Sequence, residues 1–521
     1  MPTFTLDDRE IEFEPGETVI AAARRAGVTI PHYCWHPGLS VAGNCRMCLV
    51  EVEGFPKLQI ACNTGAREGM VVKMGSEWAH DARSAVMEFL LINHPLDCPI
   101  CDQAGECKLQ DYAVAHGDGY SRFEEHKVEK RKRVPFSDKV MYDGERCILC
   151  TRCVRFCDEI GGVDELTVVN RGDENEIALA PGRELTNAYS MNIIDICPVG
   201  ALTSRDFRFA SRVWFMDFVR SVCPSCARGC NVTIGAREGE ILRMVPAENP
   251  HVNEWWMCDH GRLNYGFVAE NRAAAPLVAG RPAEWEPSLE AAADLLEAAK
   301  QAGGEKTFGL ASAWLTNEEL FLFRRVMRDV VGASSLDVVR HVGDADETLI
   351  RSEKSPNDRG ATAIGVDGSG PIALDGLAAA IASGRITTLV AWGEDPTAIE
   401  ELAPVLDRLE RLLVVSAWEG GATGSAHVAL VGATPFEKDG TVTSFEGRVQ
   451  RVRPAIPPVG GARPDWRILT DLLALLGDHA TILTPRAAYA MLAAEVPAFH
   501  GTSWDAIGDL GVLLPAASPV A

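Results

Sequence analysis

The chain has no cysteine beyond Cys258, no long uninterrupted apolar run and no excess of positive charge. Each absence excludes something. A bilayer-spanning helix needs about 18 or more consecutive apolar residues, and no stretch approaches that. The opening MPTFTLDDRE lacks the charged-then-apolar layout of an export signal, so the expected compartment is the cytoplasm, with any membrane attachment made through partner subunits. Lysine and arginine number 50 against 73 acidic residues, a formal net charge of −23. That excess repels phosphate backbones and anionic bilayers, so neither nucleic acid nor direct membrane insertion is expected. Without export, a disulfide framework is excluded as well.

What is present is an ordinary globular balance, 47% apolar and 24% charged over 521 residues, enough for three or four domains. Sixteen cysteines all fall between Cys34 and Cys258. Thiols gathered at short spacings in a reducing compartment point to metal or redox work, because scattered buried cysteines would not concentrate in one half.

TFTLD and REIEFE alternate apolar and polar residues and predict a hairpin; Gly16 ends the second strand and Glu17–Ala26 predicts a helix stopped by Gly27. With strands at Met47–Glu53 and Met70–Met74, the first segment fits a β-grasp sheet. Residues 76–112 read as helical and then as a cysteine-rich loop. The basic run Lys127–Arg133 reads first as a solvated linker face, and second as a contact to an acidic partner subunit. Beyond residue 280 helices alternate with short apolar strands: helices at Ser288–Ala302, Asn317–Val331 and Pro396–Arg411, strands at Thr307–Ala311, Thr387–Trp392 and Leu412–Ala417. That alternation predicts a doubly wound parallel sheet, hence a multidomain α/β protein.

Four cysteine constellations carry the chemistry. Cys34, Cys45, Cys48 and Cys62 lie in a loop and at strand edges, with Gly43 allowing close backbone approach; they fit a 2Fe–2S cluster of plant-ferredoxin type. Cys98, Cys101 and Cys107 are one ligand short of a four-iron cube, and His94 is the nearest candidate for the fourth. Cys147, Cys150, Cys153 and Cys157 form a ferredoxin run joined later by Cys197-Pro198. In two-cluster ferredoxins the fourth cysteine of each run serves the other cluster, so the second cube would need cysteines at 187, 190 and 193. Those positions hold Asn187, Ser190 and Ile193. One cube should remain on Cys147, Cys150, Cys153 and Cys197, with Cys157 left as a packed thiol. Cys223, Cys226, Cys230 and Cys258 fit a further cube. Zinc is the competing reading at the first, second and fourth sets, since Cys3His and paired CxxC-like halves also describe zinc sites.

The order of these modules resembles the large iron–sulfur subunit (the G or 75 kDa type) of respiratory complex I, the proton-translocating NADH:quinone oxidoreductase. The resemblance runs through all four sets over residues 1–270. It continues more loosely through LTNEE (Leu315–Glu319), GEDP (Gly393–Pro396) and DGTVTSFEGRVQ (Asp439–Gln450), which look like that subunit's degenerate molybdopterin-oxidoreductase domain. It implies a 2Fe–2S β-grasp domain at 1–78, a His(Cys)3-ligated 4Fe–4S segment at 79–118, a ferredoxin-like 4Fe–4S domain with one cluster lost at 138–215 and a 4Fe–4S domain of the molybdenum/tungsten type at 216–272. A degenerate, truncated molybdopterin-oxidoreductase-like domain would follow at 273–521.

The function implied is an electron wire of one 2Fe–2S and three 4Fe–4S clusters. NADH would be oxidised at a flavin on a partner subunit. Electrons would pass from the Cys34 set to the Cys147 set, then the His94 set, then to downstream iron–sulfur subunits toward quinone, with the Cys223 set off that path. The chain would sit peripherally on the cytoplasmic face of the inner membrane through those partners. No catalytic residue and no working molybdenum cofactor are expected: no cysteine follows Cys258, and His260 stands where molybdenum relatives carry a lysine that bridges cluster and pterin. The competing readings are a catalytic or accessory subunit of an NAD-linked formate dehydrogenase or hydrogenase-type molybdopterin oxidoreductase, and a zinc-ribbon scaffold.

Overall fold

A computed structural model describes residues 1–478 and 480–515. The chain divides into two units, Met1–Met216 and Asp217–Ala521. No helix among the described residues is long and apolar enough to cross a membrane.

The first unit opens with β1 (Thr3–Leu6) and β2 (Arg9–Glu12), paired antiparallel with Phe4 opposite Ile11. Their alternation sends Phe4, Leu6 and Ile11 inward. Helix α1 (Val19–Arg25) starts where the Thr18 hydroxyl accepts the Ala21 N–H and ends before Gly27, at φ +76°. Strands β3 (Leu49–Val52), β4 (Gln59–Ile60) and β5 (Val71–Lys73) complete the sheet in the order β2-β1-β5-β3-β4. Cys48 and Cys62 are part of the core that this sheet and α1 enclose.

Helices α2 (Glu77–Leu91) and α3 (Lys108–His116) follow, then β6 (Val134–Pro135), β7 (Val140–Tyr142) and α4 (Arg152–Glu159). The ribbon of β8 (Leu166–Val169) and β9 (Glu176–Leu179), the short α5 (Asn192–Asp195) and β10 (Leu202–Ser204) complete the unit. The basic run between α3 and β6 stays largely exposed, as a solvated face would, and several of its cations also have partners. Lys127 donates to the terminal carbonyls of Leu91 and Ile92, where α2 carries its negative end. Arg131 pairs with Glu176, and Lys132 with Asp97 and Glu145. Lys127, Arg131 and Lys132 thus have partners within the unit.

The second unit begins with an antiparallel sheet of β11 (Asp217–Val222), β12 (Asn231–Arg237) and β13 (Glu240–Pro246), then α6 (Asp259–Leu263). The edge pair β14 (Leu277–Val278) and β15 (Arg281–Pro282) and helix α7 (Trp285–Gln301) lead into the expected parallel sheet. Its strands are β16 (Thr307–Ser312), β17 (Ser335–Val339), β18 (Thr388–Trp392), β19 (Arg411–Ser416) and β20 (Val428–Val431), in the order β20-β19-β18-β16-β17. Successive residues feed opposite cores. Val390, Trp392, Leu413 and Val415 meet α7 and α8 (Asn317–Arg324), whereas Leu389, Ala391, Leu412 and Val414 meet the helix at 374–382. Burial on both faces is why these strands read as unbroken apolar runs. A third sheet holds β21 (Gly440–Thr443), β22 (Arg448–Val452) and β23 (Val512–Leu513).

Two helix expectations change. The helix expected over 317–331 runs as α8 to Arg324 and then in wider turns to Val331. The helix expected over 396–411 is replaced by two tight turns, Pro396–Ala398 and Ala403–Arg408. Pro404 lacks the N–H that a continuous helix would need there.

Candidate metal centres

In the first set Cys34 follows α1, Cys45 and Cys48 precede β3, and Cys62 follows β4. The four sulfurs are grouped as two pairs. Within each pair a hydrogen bond between the sulfurs drives one thiol down and its partner up, Cys34 (to about 5) against Cys45 and Cys62 against Cys48. The Cys34 N–H points at Cys45 Sγ at 3.4 Å, and the Asn44, Cys45 and Met47 N–H groups also reach the sulfurs. The loop manages this with Gly43 at φ +64° and Arg46 at φ +60°.

The second set frames a cavity of about 110 Å³ lined by His94, Cys98, Cys101, Cys107, Arg146 and Gly200, among others. Burial, reinforced by the charges of Lys127 and Arg146, lowers the His94 pKa to about 4, which keeps the imidazole neutral and able to donate a lone pair. Cys107 stands at the N-terminus of α3, where the Leu109 and Gln110 N–H groups face its sulfur. Gly200 lies against Cys101, and a Cβ there would overlap Cys101 Sγ.

In the third set Cys147 and Cys150 alternate with Leu149 at φ +53° and Thr151 at φ +60°, and the Leu149 N–H reaches Cys147 Sγ at 3.4 Å. Cys153 is on α4, and Cys197 follows α5. Burial raises Cys147 to about 11 and Cys197 to about 12, so without metal these thiols keep their protons. Cluster assembly must displace those protons, and buried sulfur then ligates with no competing water. Cys157, also on α4, is fully buried beside Glu165. Around the positions that a second cube would need, the packing is ordinary. Glu165 accepts from the Thr186 and Asn187 N–H groups and the Asn187 side chain, and Ile193 is fully buried.

The fourth set is in the second unit. Cys223 follows directly on β11, and its N–H donates to the Cys230 carbonyl at 2.8 Å. Cys258 caps α6, with the Gly261 N–H on its sulfur at 3.3 Å. A Cβ on Gly261 would press Cys223 Sγ at 3.0 Å and Cys258 Sγ at 3.3 Å, so the glycine clears the cradle. Burial raises Cys223 to about 12. His260 is exposed.

Among the described residues no three His, Cys, Asp or Glu side chains close to distances that surround a single ion. A polynuclear cluster, which spreads its ligands over several irons, does not require them to. Thiolate-rich sets with N–H groups aimed at sulfur and glycines at contact suit iron–sulfur clusters.

Sequence reasoning missed two arginines on α4. Arg152, 9% exposed, donates to the carbonyls of Trp35 and Ile196. Arg155 donates to the carbonyls of Cys34 (2.6 Å), Cys150 (3.2 Å) and Ser40. The third set is joined to the second through Cys197-Pro198-Val199-Gly200. The Lys108 N–H donates to the Pro198 carbonyl at 3.1 Å, and Gly200 touches Cys101. The only signal in sequence was the small Gly200 just after Cys197-Pro198; nothing local marked the arginines.

Fold and sites together define an iron–sulfur protein with a ferredoxin-type front and a molybdopterin-oxidoreductase-type rear. Models of known families match each part: a 2Fe-2S iron-sulfur cluster binding domain at 1–77 and the NADH-ubiquinone oxidoreductase-G iron-sulfur binding region at 83–122. The ferredoxin-like domain of NADH-quinone oxidoreductase subunit 3 matches 137–203, the molybdopterin oxidoreductase Fe4S4 domain 216–270, and molybdopterin oxidoreductase 417–475.

Curated relatives bear out the resemblance read from the cysteine order. The G subunit of the Streptomyces coelicolor NADH-quinone oxidoreductase is 40% identical over 353 residues, 66% of this chain and 41% of that protein. Its counterpart in Rickettsia bellii, also the G subunit of an NADH-quinone oxidoreductase, is 39% identical over 336 residues, 63% of this chain and 48% of the relative. The mitochondrial NADH-ubiquinone oxidoreductase 78 kDa subunit of Neurospora crassa is 40% identical over 340 residues, 64% and 45%. The chain therefore spans less than half the length of these curated relatives. A chain of an NAD+-reducing NiFe-hydrogenase is 36% identical, covering 41% of this chain and 91% of its own, with a TM-score of 0.37.

Proposed function

We propose that the chain is an electron-transfer iron–sulfur subunit of an NADH:quinone oxidoreductase. It would receive electrons from a flavin-bearing partner that oxidises NADH and deliver them to downstream iron–sulfur subunits, on the cytoplasmic face of the membrane. The ligands would be Cys34, Cys45, Cys48 and Cys62 for one 2Fe–2S cluster, and His94, Cys98, Cys101 and Cys107 for the first 4Fe–4S cube. Cys147, Cys150, Cys153 and Cys197 would hold the second cube, and Cys223, Cys226, Cys230 and Cys258 the third. Bound there, the clusters supply one-electron carriers.

The observation that carries this reading is the continuity of the first unit. Arg155 bonds to carbonyls of both the Cys34 and the Cys147 sets, and the Cys197–Gly200 turn touches the His94 set. Three sets in direct succession suit relay, whereas independent zinc staples need no contact with one another. The residues around them hold charge in place. Arg152 and Arg155 put fixed positive charge between two anionic sites, which favours the more negative, reduced forms. Asp97, held by Lys132 at 2.8 Å and Arg146 at 2.9 Å, anchors the loop between His94 and Cys98.

The test is metal content and reducibility of the anaerobically purified chain. About 14 irons per chain, one 2Fe–2S and three 4Fe–4S EPR signals, and reduction by NADH only with a flavoprotein partner are expected. Stoichiometric molybdenum or tungsten with formate or hydrogen oxidation would favour the catalytic-subunit reading, and a colourless zinc protein the scaffold.

A further inference from the structure

Cys147, Cys150, Cys153 and Cys197 surround a small space that Tyr142 and Ile177 help to line. Tyr142 is the last residue of β7, the middle strand of the sheet β10-β7-β6. It stands opposite Leu202 on one side and Val134 on the other. Its ring stacks on Phe136, with centroids 4.6 Å apart and planes 17° from parallel, and the residue is 1% exposed. Strand pairing on both sides and the stacked ring hold the phenol against the third set, away from water.

That placement fixes what the hydroxyl can do. Its oxygen accepts the N–H of Ile177, on β9, at 3.2 Å. An amide nitrogen has no lone pair to give back, so the phenolic proton must find another acceptor. The acceptor it meets is Cys147 Sγ. A phenol with a pKa of about 10 keeps its proton at neutral pH and can therefore donate it. An N–H on the oxygen polarises the O–H and strengthens that donation. The same sulfur also receives the Leu149 N–H at 3.4 Å, from the loop itself.

We propose that Tyr142 tunes the cluster on Cys147, Cys150, Cys153 and Cys197, its O–H donating to Cys147 Sγ and raising the midpoint potential. The inference rests on the ligand set proposed above. Reduction adds one electron to the cluster, and the ligand sulfurs share the added negative charge. A donor aimed at one of them stabilises the reduced form more than the oxidised form. No proton is transferred. Tyr142 acts through Cys147, as a positioning residue, by the outer-shell hydrogen bonding that tunes metal sites in general.

The test is an EPR-monitored redox titration of the anaerobically loaded full chain, following the 4Fe–4S signal that Cys153→Ser removes or converts. Tyr142→Phe keeps the ring and its stack on Phe136 and deletes the donor. At a fixed ambient potential the ratio of reduced to oxidised cluster should fall about tenfold, a downward shift of about 59 mV for one electron. The midpoints of the other clusters should stay where they are. Replacing tyrosine biosynthetically by 3-fluorotyrosine makes the O–H more acidic and a stronger donor, so the same ratio should rise a few-fold. A role in packing alone does not produce shifts of opposite sign. The fluorinated protein carries no sequence change, so it decides the matter if Tyr142→Phe loses iron. An unmoved midpoint in either protein, or shifts of the same sign in both, would overturn the proposal and leave the ligand set standing. Were no 4Fe–4S signal to depend on Cys153, the ligand set would fail and the role of Tyr142 with it.

Discussion

Replacing Gly200 by alanine adds one methyl group where the turn after Cys197 meets Cys101. Gly200 does not occupy the left-handed region, so its requirement is for space alone. A Cβ there would overlap Cys101 Sγ and stand 3.0 Å from the Gln103 Cβ, so it could not be relieved by turning toward Gln103. The sulfur would have to retreat by on the order of 1 Å, whereas ligand positions tolerate only about 0.2 Å. Overpacking of this kind costs roughly 1–3 kcal/mol, which a chain of this size survives folded. The expected result is therefore selective. Circular dichroism stays native, iron falls from about 14 to about 10 per chain, and one 4Fe–4S EPR signal disappears while the Cys197-ligated cube remains. Full iron content with an unchanged EPR spectrum would refute the placement of Cys101 against Gly200, and with it the succession of sets behind the proposed relay.

Four further predictions use other parts of the molecule. Cys157→Ser should leave every EPR signal intact, because its thiol packs beside Glu165, whereas Cys153→Ser should remove or convert one cube; both are read by EPR with iron quantification. His94→Cys replaces a neutral ligand by an anion, so one midpoint potential should fall by on the order of 100 mV in a redox titration, while NADH reduction of an artificial acceptor at a partner flavin is spared. Lys438→Met leaves the buried carboxylates of Glu319 and Asp465 without their cation, and should destabilise the second unit by about 3–5 kcal/mol in denaturant unfolding. Burial raises Glu318 to about 8, so the folded state holds a proton that the unfolded state releases above its ordinary pKa near 4.5. Its contribution to stability is therefore lost as pH rises from about 4.5 to 8, and Glu318→Gln should flatten that decline in melts taken between pH 5 and 8.5.

LTNEE and DGTVTSFEGRVQ looked in sequence like two separate signatures, and the fold joins them. Asn317 donates to the Thr441 hydroxyl at 2.9 Å, Glu318 accepts the Thr441 N–H at 2.8 Å, and Glu319 binds Lys438. Thr316 and Glu319 close a capping box that starts α8 at this junction. Local chemistry announced each piece, but a separation of more than 100 residues hid the network.

Cluster ligands are dictated by short spacings, because a wrapping loop must bring its sulfurs together within a few residues. For that reason the four candidate cysteine sets, and the reading of Asn187, Ser190 and Ile193 as missing ligands with Cys157 spare, could be proposed from residue order. Hydrophobic period likewise disclosed the first hairpin, α1 and the parallel strands. What only the tertiary structure decided is which sets adjoin. Arg155 reaches from α4 to Cys34, 121 residues away, and Gly200 meets Cys101 across 99. The destination of the basic run was settled the same way, by carbonyls and carboxylates that folding carried to it. Spacing along a chain governs what a loop can grip; long-range packing governs which grips come to lie side by side.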